Sequence, residues 1–482
     1  MYCKQNHTYR SRREFLERGA LGLGAIALGA LMNNGDVHAA SPEDSGKSLP
    51  NHSAKAKRVI YLFQSGGPSH LDLFDPKPQT ADLFDKEVPD SIFGGQRITG
   101  MVANQSRFPF VPTMYKYAPS GECGTEISNM LPHTREIVDD ICLIRSMHTE
   151  AINHDPAITF LQTGSQLPGR PSMGAWLDYG LGSLNSELPS FVVLASVPSE
   201  GKAGQGLLSR LWGSGFLPSR HQGVQLRNGS EPVLYLKDPQ GMPTSARRSY
   251  LDGLKRLNEA ALEISGDPEI DTRISQYEMA YRMQTSVPEL ADLADEPQST
   301  FDLYGEEARQ PGTFARNCLM ARRLVERDVR FIQLYHRGWD HHGDLPKRMK
   351  TLAGDTDRPS KALVQDLKQR GLLDDTLVIW GGEFGRTPYA QGKPKPSQYG
   401  RDHHGKAFSL WMAGGGVKAG ATYGQTDEFG FNIVDKPIHV HDLQATILHL
   451  LGVDHKKLTY RFQGRQYRLT DVHGQLVKGI LS

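Results

Sequence analysis

The sequence predicts an α/β protein built on a doubly wound, mostly parallel sheet. Three apolar runs, 58–63, 331–335 and 376–380, each break abruptly into a glycine-marked loop, as buried parallel strands do. Amphipathic helical patterns at 314–327 and 360–370 feed the second and third runs, which gives the helix-strand alternation of such a sheet. The 482 residues are ample for a sizeable core, and 50 glycines with 29 prolines point to many loops.

Ligands in open α/β sheets bind beyond the carboxyl ends of the strands, so the residues just past these runs are the candidates for a site. The third run leads into Gly381-Gly382-Glu383-Phe384-Gly385-Arg386, with Arg401-Asp402-His403-His404 shortly after. The second leads into Gly338-Trp339-Asp340-His341-His342-Gly343-Asp344, and the first into Gln64-Ser65-Gly66-Gly67-Pro68-Ser69-His70-Leu71-Asp72. Carboxylates and imidazoles arriving from separate strand ends suit one or two divalent ions. Zinc, manganese or iron fits imidazole better than magnesium or calcium does. His70 and Asp72 read equally well as ligands or as a turn with a helix cap. Arg386 or Arg401 is the candidate to clamp an oxyanion bidentately.

Taken in order, residues 1–40 read as a twin-arginine signal peptide. Ser11-Arg12-Arg13-Glu14-Phe15-Leu16 carries the signature, followed by an apolar stretch from Ala20 to Met32 and small residues at Ala39 and Ala40. That stretch falls well short of the ~20 residues of a spanning helix. The expectation is therefore a mature chain starting near Ser41, passed through the twin-arginine machinery to the periplasm or beyond the cell, with no stable membrane span. An uncleaved amphipathic anchor is the alternative. Residues 41–57 read as a linker and 58–482 as one α/β domain with insertions around 201–310.

Within that domain a short strand at 141–144 precedes Asn153-His154-Asp155-Pro156, a helix start whose unpaired N–H groups attract anions. Asn153 is thus a candidate substrate contact and His154 a candidate catalytic group. The bland reading of the same residues is a capped helix with a surface histidine. A strand at 191–194, a glycine-rich irregular segment at 201–236 and amphipathic helices at 245–264 and 269–284 follow. A strand at 408–412, a helix opening at His439-Val440-His441-Asp442 with both histidines structural, and a β meander over 460–482 complete the chain.

The formal charge of +1 gives no basic surplus that would argue for nucleic acid. Cys3 lies in the targeting segment, and Cys123, Cys142 and Cys318 fit no zinc-thiolate spacing, so any metal is expected on N and O ligands.

Seven passages together carry a resemblance: IYLFQSGGPSHLDLFDPKP, RSMHTEAINHDPA, GWDHHGDL, TLVIWGGEFGRTP, GRDHHGKAFSLWMAGGGVKAG, YGQTDEFG and HDLQATILHLLGV. Over Val59 to Leu476 the chain resembles an exported, sulfatase-like bacterial family of unknown function within the alkaline phosphatase and sulfatase superfamily. The resemblance implies an α/β/α sandwich with metals at strand ends and a metal-dependent hydrolase of sulfate or phosphate esters, with sulfated carbohydrate as a substrate class. It implies Asp340 and His342 on one ion with His403 or His404, and Glu383 on a second. Whether His70 and Asp72 replace the first-strand aspartates of sulfatases stays open. Where sulfatases carry Cys-x-Pro-Ser-Arg, this chain reads His154-Asp155-Pro156-Ala157-Ile158, which rules out a formylglycine nucleophile at that position. Hydroxide generated at a metal is the preferred attacking group, with His154 as nucleophile, ligand or general acid in its place. The alternative is a non-catalytic anion- or glycan-binding member of the fold, or a scaffold in an exported assembly.

Overall fold

The computed structural model describes residues 49–482 apart from 95–97, 202–203, 228–231 and 234–242. The expected signal peptide and residues 41–48 of the expected linker lie outside the described residues.

Eleven strands matter for the site: β1 (Arg58–Ser65), β2 (Ile141–His148), β3 (Phe191–Ser196), β4 (Val224–Leu226), β5 (Phe331–Arg337), β6 (Thr376–Gly381), β7 (Gly385–Ala390), β8 (Arg401–His404), β9 (Phe408–Ala413), β10 (Ala421–Tyr423) and β11 (Ile438–His439). Nine of them make one sheet in the order β10-β2-β9-β6-β1-β5-β3-β4, with β11 also beside β2. Every pairing is parallel except those of β9, which runs antiparallel to both β6 and β2. β7 and β8 form a separate antiparallel ribbon just past β6.

Successive side chains on a strand point to opposite faces, and β1 shows the consequence. Ile60 and Leu62 join one apolar core together with residues of α5 (Phe314–Glu326) and α6 (Leu345–Gln369). Val59, Tyr61 and Phe63 join a second core on the other face, with residues of α1 (His154–Thr163), α2 (Met173–Leu181) and α7 (Val440–Leu450). Because both faces are covered, the strand is apolar almost throughout, which is why it is readable as a run rather than an alternation. The result is the expected α/β/α sandwich. Two further helices, α3 (Thr244–Ser265) and α4 (Pro268–Ala291), lie within the 201–310 stretch.

Four expectations need correction. The helix expected at 360–370 begins at Leu345; Pro359 sits inside it and looks in sequence like a boundary. Residues 130–138 carry a helix-like pattern in sequence, but the helix there is a 3-10 one at Thr134–Asp140. Residues 401–404, expected as a loop, are a strand because they pair with β7. The expected terminal meander is one hairpin, Tyr460–Phe462 with Arg465–Tyr467, followed by turns and a 3-10 turn at Lys478–Ile480. Cys123, Cys142 and Cys318 are all free thiols, the first exposed and the others buried.

Candidate metal centre

The loops after β1, β5 and β6 meet at their carboxyl ends, and glycine makes the approach possible. Gly66 has φ +119°, and a Cβ there would stand 2.5 Å from the Asp340 backbone nitrogen. The turn after β1 therefore lies directly on the loop carrying Asp340. The ribbon β7–β8 supplies Arg386 and His403 from one side, and the first turn of α1 supplies His154 from another.

Four side chains converge here: His154, Asp340, His342 and His403, each offering a ligand atom within 4.8 Å of the others. Their common focus is Asp340 Oδ1, which lies 3.1 Å from His154 Nε2, 2.8 Å from His342 Nε2 and 3.4 Å from His403 Nε2. The two nitrogens His342 Nε2 and His403 Nε2 are themselves 2.9 Å apart. Asp340 and His342 remain about a fifth exposed, so the focus is reachable from solvent.

Hydrogen bonding on the far side of each ring fixes its chemistry. His403 Nδ1 donates to the Ile152 carbonyl at 2.8 Å, and His154 Nδ1 to the Glu383 carboxylate at 2.6 Å. His342 Nδ1 donates to Gln391 Oε1 at 2.7 Å. Each partner is an acceptor, so in the neutral imidazoles all three protons sit on Nδ1 and all three Nε2 lone pairs face the Asp340 carboxylate. An anion ringed by lone pairs is repulsive unless positive charge lies among them. The three histidines are oriented just as ligand histidines are, with the outer nitrogen bonded to oxygen and the inner one bare. The donor set thus fits a divalent cation.

The same logic governs the protons. Burial works against a charged His154, yet its bonds to Asp340 and Glu383 outweigh this and raise its pKa. Burial opposes ionisation of Asp340 too, but the three imidazoles and Arg386 hold its carboxyl far below the usual range. His403 is shifted down by burial and by Arg386, against the pull of Asp340. Positive charge is selected at one point, as a proton or as a metal ion.

Glu383 stands behind His154, not beside Asp340. Both its oxygens accept from Gly66 N–H, at 2.9 and 3.2 Å, while one also takes the His154 proton. Arg386 is fully buried and wholly engaged: Nε donates to Gly67 O at 2.9 Å, Nη1 to Arg401 O at 3.2 Å, and Nη2 to Gly66 O and to Asp340 Oδ1, the latter at 2.7 Å. It fixes Asp340 and has no free edge to clamp an oxyanion. Arg401 is likewise spent, on Asp72 at 2.8 and 3.3 Å and on the carbonyls of Thr387, Pro388 and Val111.

Asp72 therefore lies in a buried ion pair, and Ser69 Oγ donates to it at 2.6 Å. His70 Nε2 is bonded to Gly430 O at 2.9 Å and His404 Nε2 to Phe431 O at 2.6 Å, so neither ring turns toward Asp340. Asn153 is exposed at the N-cap of α1 and makes no side-chain capping bond. The structure therefore brings together His154, Asp340, His342 and His403, keeps Glu383 and Arg386 as their supports, and sets His70, Asp72, Arg401 and His404 apart. Gln205, whose Nε2 donates to Asp340 Oδ2 at 2.8 Å, Gln391 and the Ile152 carbonyl escaped the sequence reading. No residue pattern marks any of them.

Among the described residues, no helix is long and apolar enough to cross a membrane. No curated protein matches the sequence. Solved structures with a similar course of chain include a phosphonate monoester hydrolase from Silicibacter pomeroyi, at 12% identity and TM-score 0.33, over 82% of this chain and 73% of that one. The PsFucS1 sulfatase from Pseudoalteromonas sp. matches at 14% identity and TM-score 0.33, over 83% and 68%. A protein of the alkaline phosphatase superfamily from Vibrio parahaemolyticus matches at 12% and 0.35, over 85% and 70%. Likeness at this level decides nothing about the chemistry. The match that places the chain is to the family described as "Protein of unknown function (DUF1501)", which spans residues 56–481, and to that family the chain belongs.

Proposed function

We propose that the chain is a metal-dependent hydrolase of sulfate or phosphate esters, of the alkaline phosphatase and sulfatase superfamily, working without a formylglycine nucleophile. The observation that carries this is the convergence of three Nε2 lone pairs on the Asp340 carboxylate. His154, Asp340, His342 and His403 would hold the ion, with zinc, manganese or iron suited to the donors. Such an ion supplies Lewis acidity toward an ester oxygen. Arg386 and Gln205 orient the carboxylate, and Glu383 orients His154. If His154 is not on the ion, its Nε2, 3.1 Å from Asp340 Oδ1, is the atom placed to hold or release a proton. Asn153, exposed at the N-cap of α1, marks the side from which an anionic group approaches. The substrate class is a small-molecule or carbohydrate ester, with sulfated carbohydrate one candidate. Residues 12–13 and the apolar stretch after them support export by the twin-arginine machinery to the periplasm or outside the cell.

A specific observation favours a second reading. Four protein donors complete a tetrahedral ion, as in closed structural zinc sites, and both candidate arginines are spent on internal partners. On that reading the chain is a non-catalytic anion- or glycan-binding member of the fold, or a scaffold in an exported assembly.

Protein purified without chelators, analysed for metal by elemental mass spectrometry and assayed on a panel of sulfate and phosphate esters, separates the two. Hydrolysis that disappears with the metal and in Asp340→Asn supports the hydrolase. Bound metal with no turnover across the panel supports the second reading, and turnover surviving in Asp340→Asn overturns the site.

A further inference from the structure

A second group of imidazoles lies away from this centre, where the N-terminus of α7 meets α1. Glu150, Phe160, Gln166, His439, His441 and His473 line a cleft there of about 580 Å³. Its hydrogen bonds settle which nitrogens are bare.

Gln444 is fully buried, and its Nε2 donates to the carbonyls of Phe160 and Leu161 at 3.1 and 3.0 Å. Carbonyls only accept, so the amide nitrogen must face them and Oε1 must face His441 Nδ1, at 3.1 Å. That nitrogen therefore carries the proton, and His441 Nε2 is a lone pair with its ring held in place. Burial pushes the His441 pKa down to about 4, so the ring is neutral at ordinary pH.

His439 is fixed in the opposite tautomer. Its Nδ1 accepts from the His441 backbone N–H at 3.3 Å, so Nε2 carries the proton. That proton points to the Glu150 carboxylate, whose oxygens lie 3.0 and 3.1 Å away. A histidine thus aims the carboxylate as a glutamine aims the imidazole, the supporting arrangement found around metal ligands. The His473 ring stacks near that of His441, with centroids 5.1 Å apart and planes at 21°, which puts a second imidazole beside the bare Nε2. Glu150 and His473 are exposed, and to share an ion that the fixed His441 presents His473 must turn and Glu150 must move an oxygen away from His439.

We propose that His441 Nε2, His473 and Glu150 form a second binding site, for a zinc-type divalent transition metal, with Gln444 and His439 as positioning residues. The site is independent of the first centre and of the hydrolase reading. Zinc titrated into the full-length chain by calorimetry tests it, with the wild type, Asp340→Asn, His473→Ala and Glu150→Gln compared. The expected result is one zinc per chain that survives Asp340→Asn and is weakened at least tenfold in His473→Ala and in Glu150→Gln. Both of those variants change exposed side chains, and both leave metal at the first centre in place. K-edge absorption of zinc bound to Asp340→Asn is expected to show imidazole ligands. Failure of Asp340→Asn to bind zinc overturns the proposal, as does binding that neither His473→Ala nor Glu150→Gln weakens. A wild-type chain that binds zinc at this second site only leaves the proposal standing and counts against the hydrolase.

Discussion

The imidazole of His154 gives its Nδ1 proton to the Glu383 carboxylate across 2.6 Å, tying the first turn of a helix to the loop that follows β6. Through that bond a residue behind the metal centre decides which face of the ring the centre receives. Glu383 is buried and also anchored by Gly66, so it cannot swing away.

Replacing Glu383 by Gln keeps the shape and removes the charge. Metal affinity is expected to fall about 10- to 100-fold, the usual effect of losing a supporting carboxylate. Competition against a chromophoric chelator measures this. An unchanged affinity would mean that His154 is not a ligand.

Asp72 and Arg401 are both fully buried and paired. Asp72→Asn leaves the guanidinium without its counter-charge, and a loss of about 3 kcal/mol or more in urea unfolding is expected. Metal content at the first centre should stay the same. A fall in metal with no loss of stability would put Asp72 in the ligand set after all.

At Gly66 a methyl group meets the Asp340 backbone at 2.5 Å, and φ is +119° besides. Gly66→Ala should cost at least ~2 kcal/mol and weaken metal binding together with stability. Chemical denaturation and metal titration on the same preparation would show whether the two losses travel together; an undisturbed variant would refute the close approach.

Acid stability should follow His336, which is completely buried in β5 and has its pKa pushed down to about 3 by burial and by Arg337. The unfolded chain protonates this residue near 6.5 while the folded one does not, so protons favour the unfolded state between those values. Its contribution is complete above about pH 6.5 and is lost as pH falls toward 3, with a slope of up to about 1.4 kcal/mol per pH unit. The rise of stability from pH 4 to 7 should become shallower in His336→Gln, with other buried histidines such as His341 and His404 supplying the remaining slope. A parallel pH dependence in the variant would assign the effect elsewhere.

The sheet was legible because buried parallel strands are apolar throughout and end in glycine. Asp340 and His403 were legible as metal-type residues just beyond such ends. The role of His404 was not, since choosing between neighbouring histidines requires knowing that 401–404 is a strand. On a strand adjacent side chains point apart, so His403 meets Asp340 while His404 reaches Phe431 O. The pairing of Asp72 with Arg401 joins residues at opposite ends of the chain, and no local spacing announces it. Gln205 comes from a glycine-rich segment with no periodicity, and the Ile152 carbonyl has no side-chain signature at all. His154 was noticed as a helix start; its place in the candidate cluster depends on the direction of α1, which packing sets.

The position of β1 also bears on the order in which the protein can be made. Among the described residues it is the first strand in chain order, yet its neighbours on both sides, beginning at Phe331 and Thr376, belong to the second half of the sequence. Until those segments have been synthesised, an apolar strand and its two bare edges wait without partners. Such long-range parallel pairing slows folding and leaves the unpaired strand open to aggregation in the meantime.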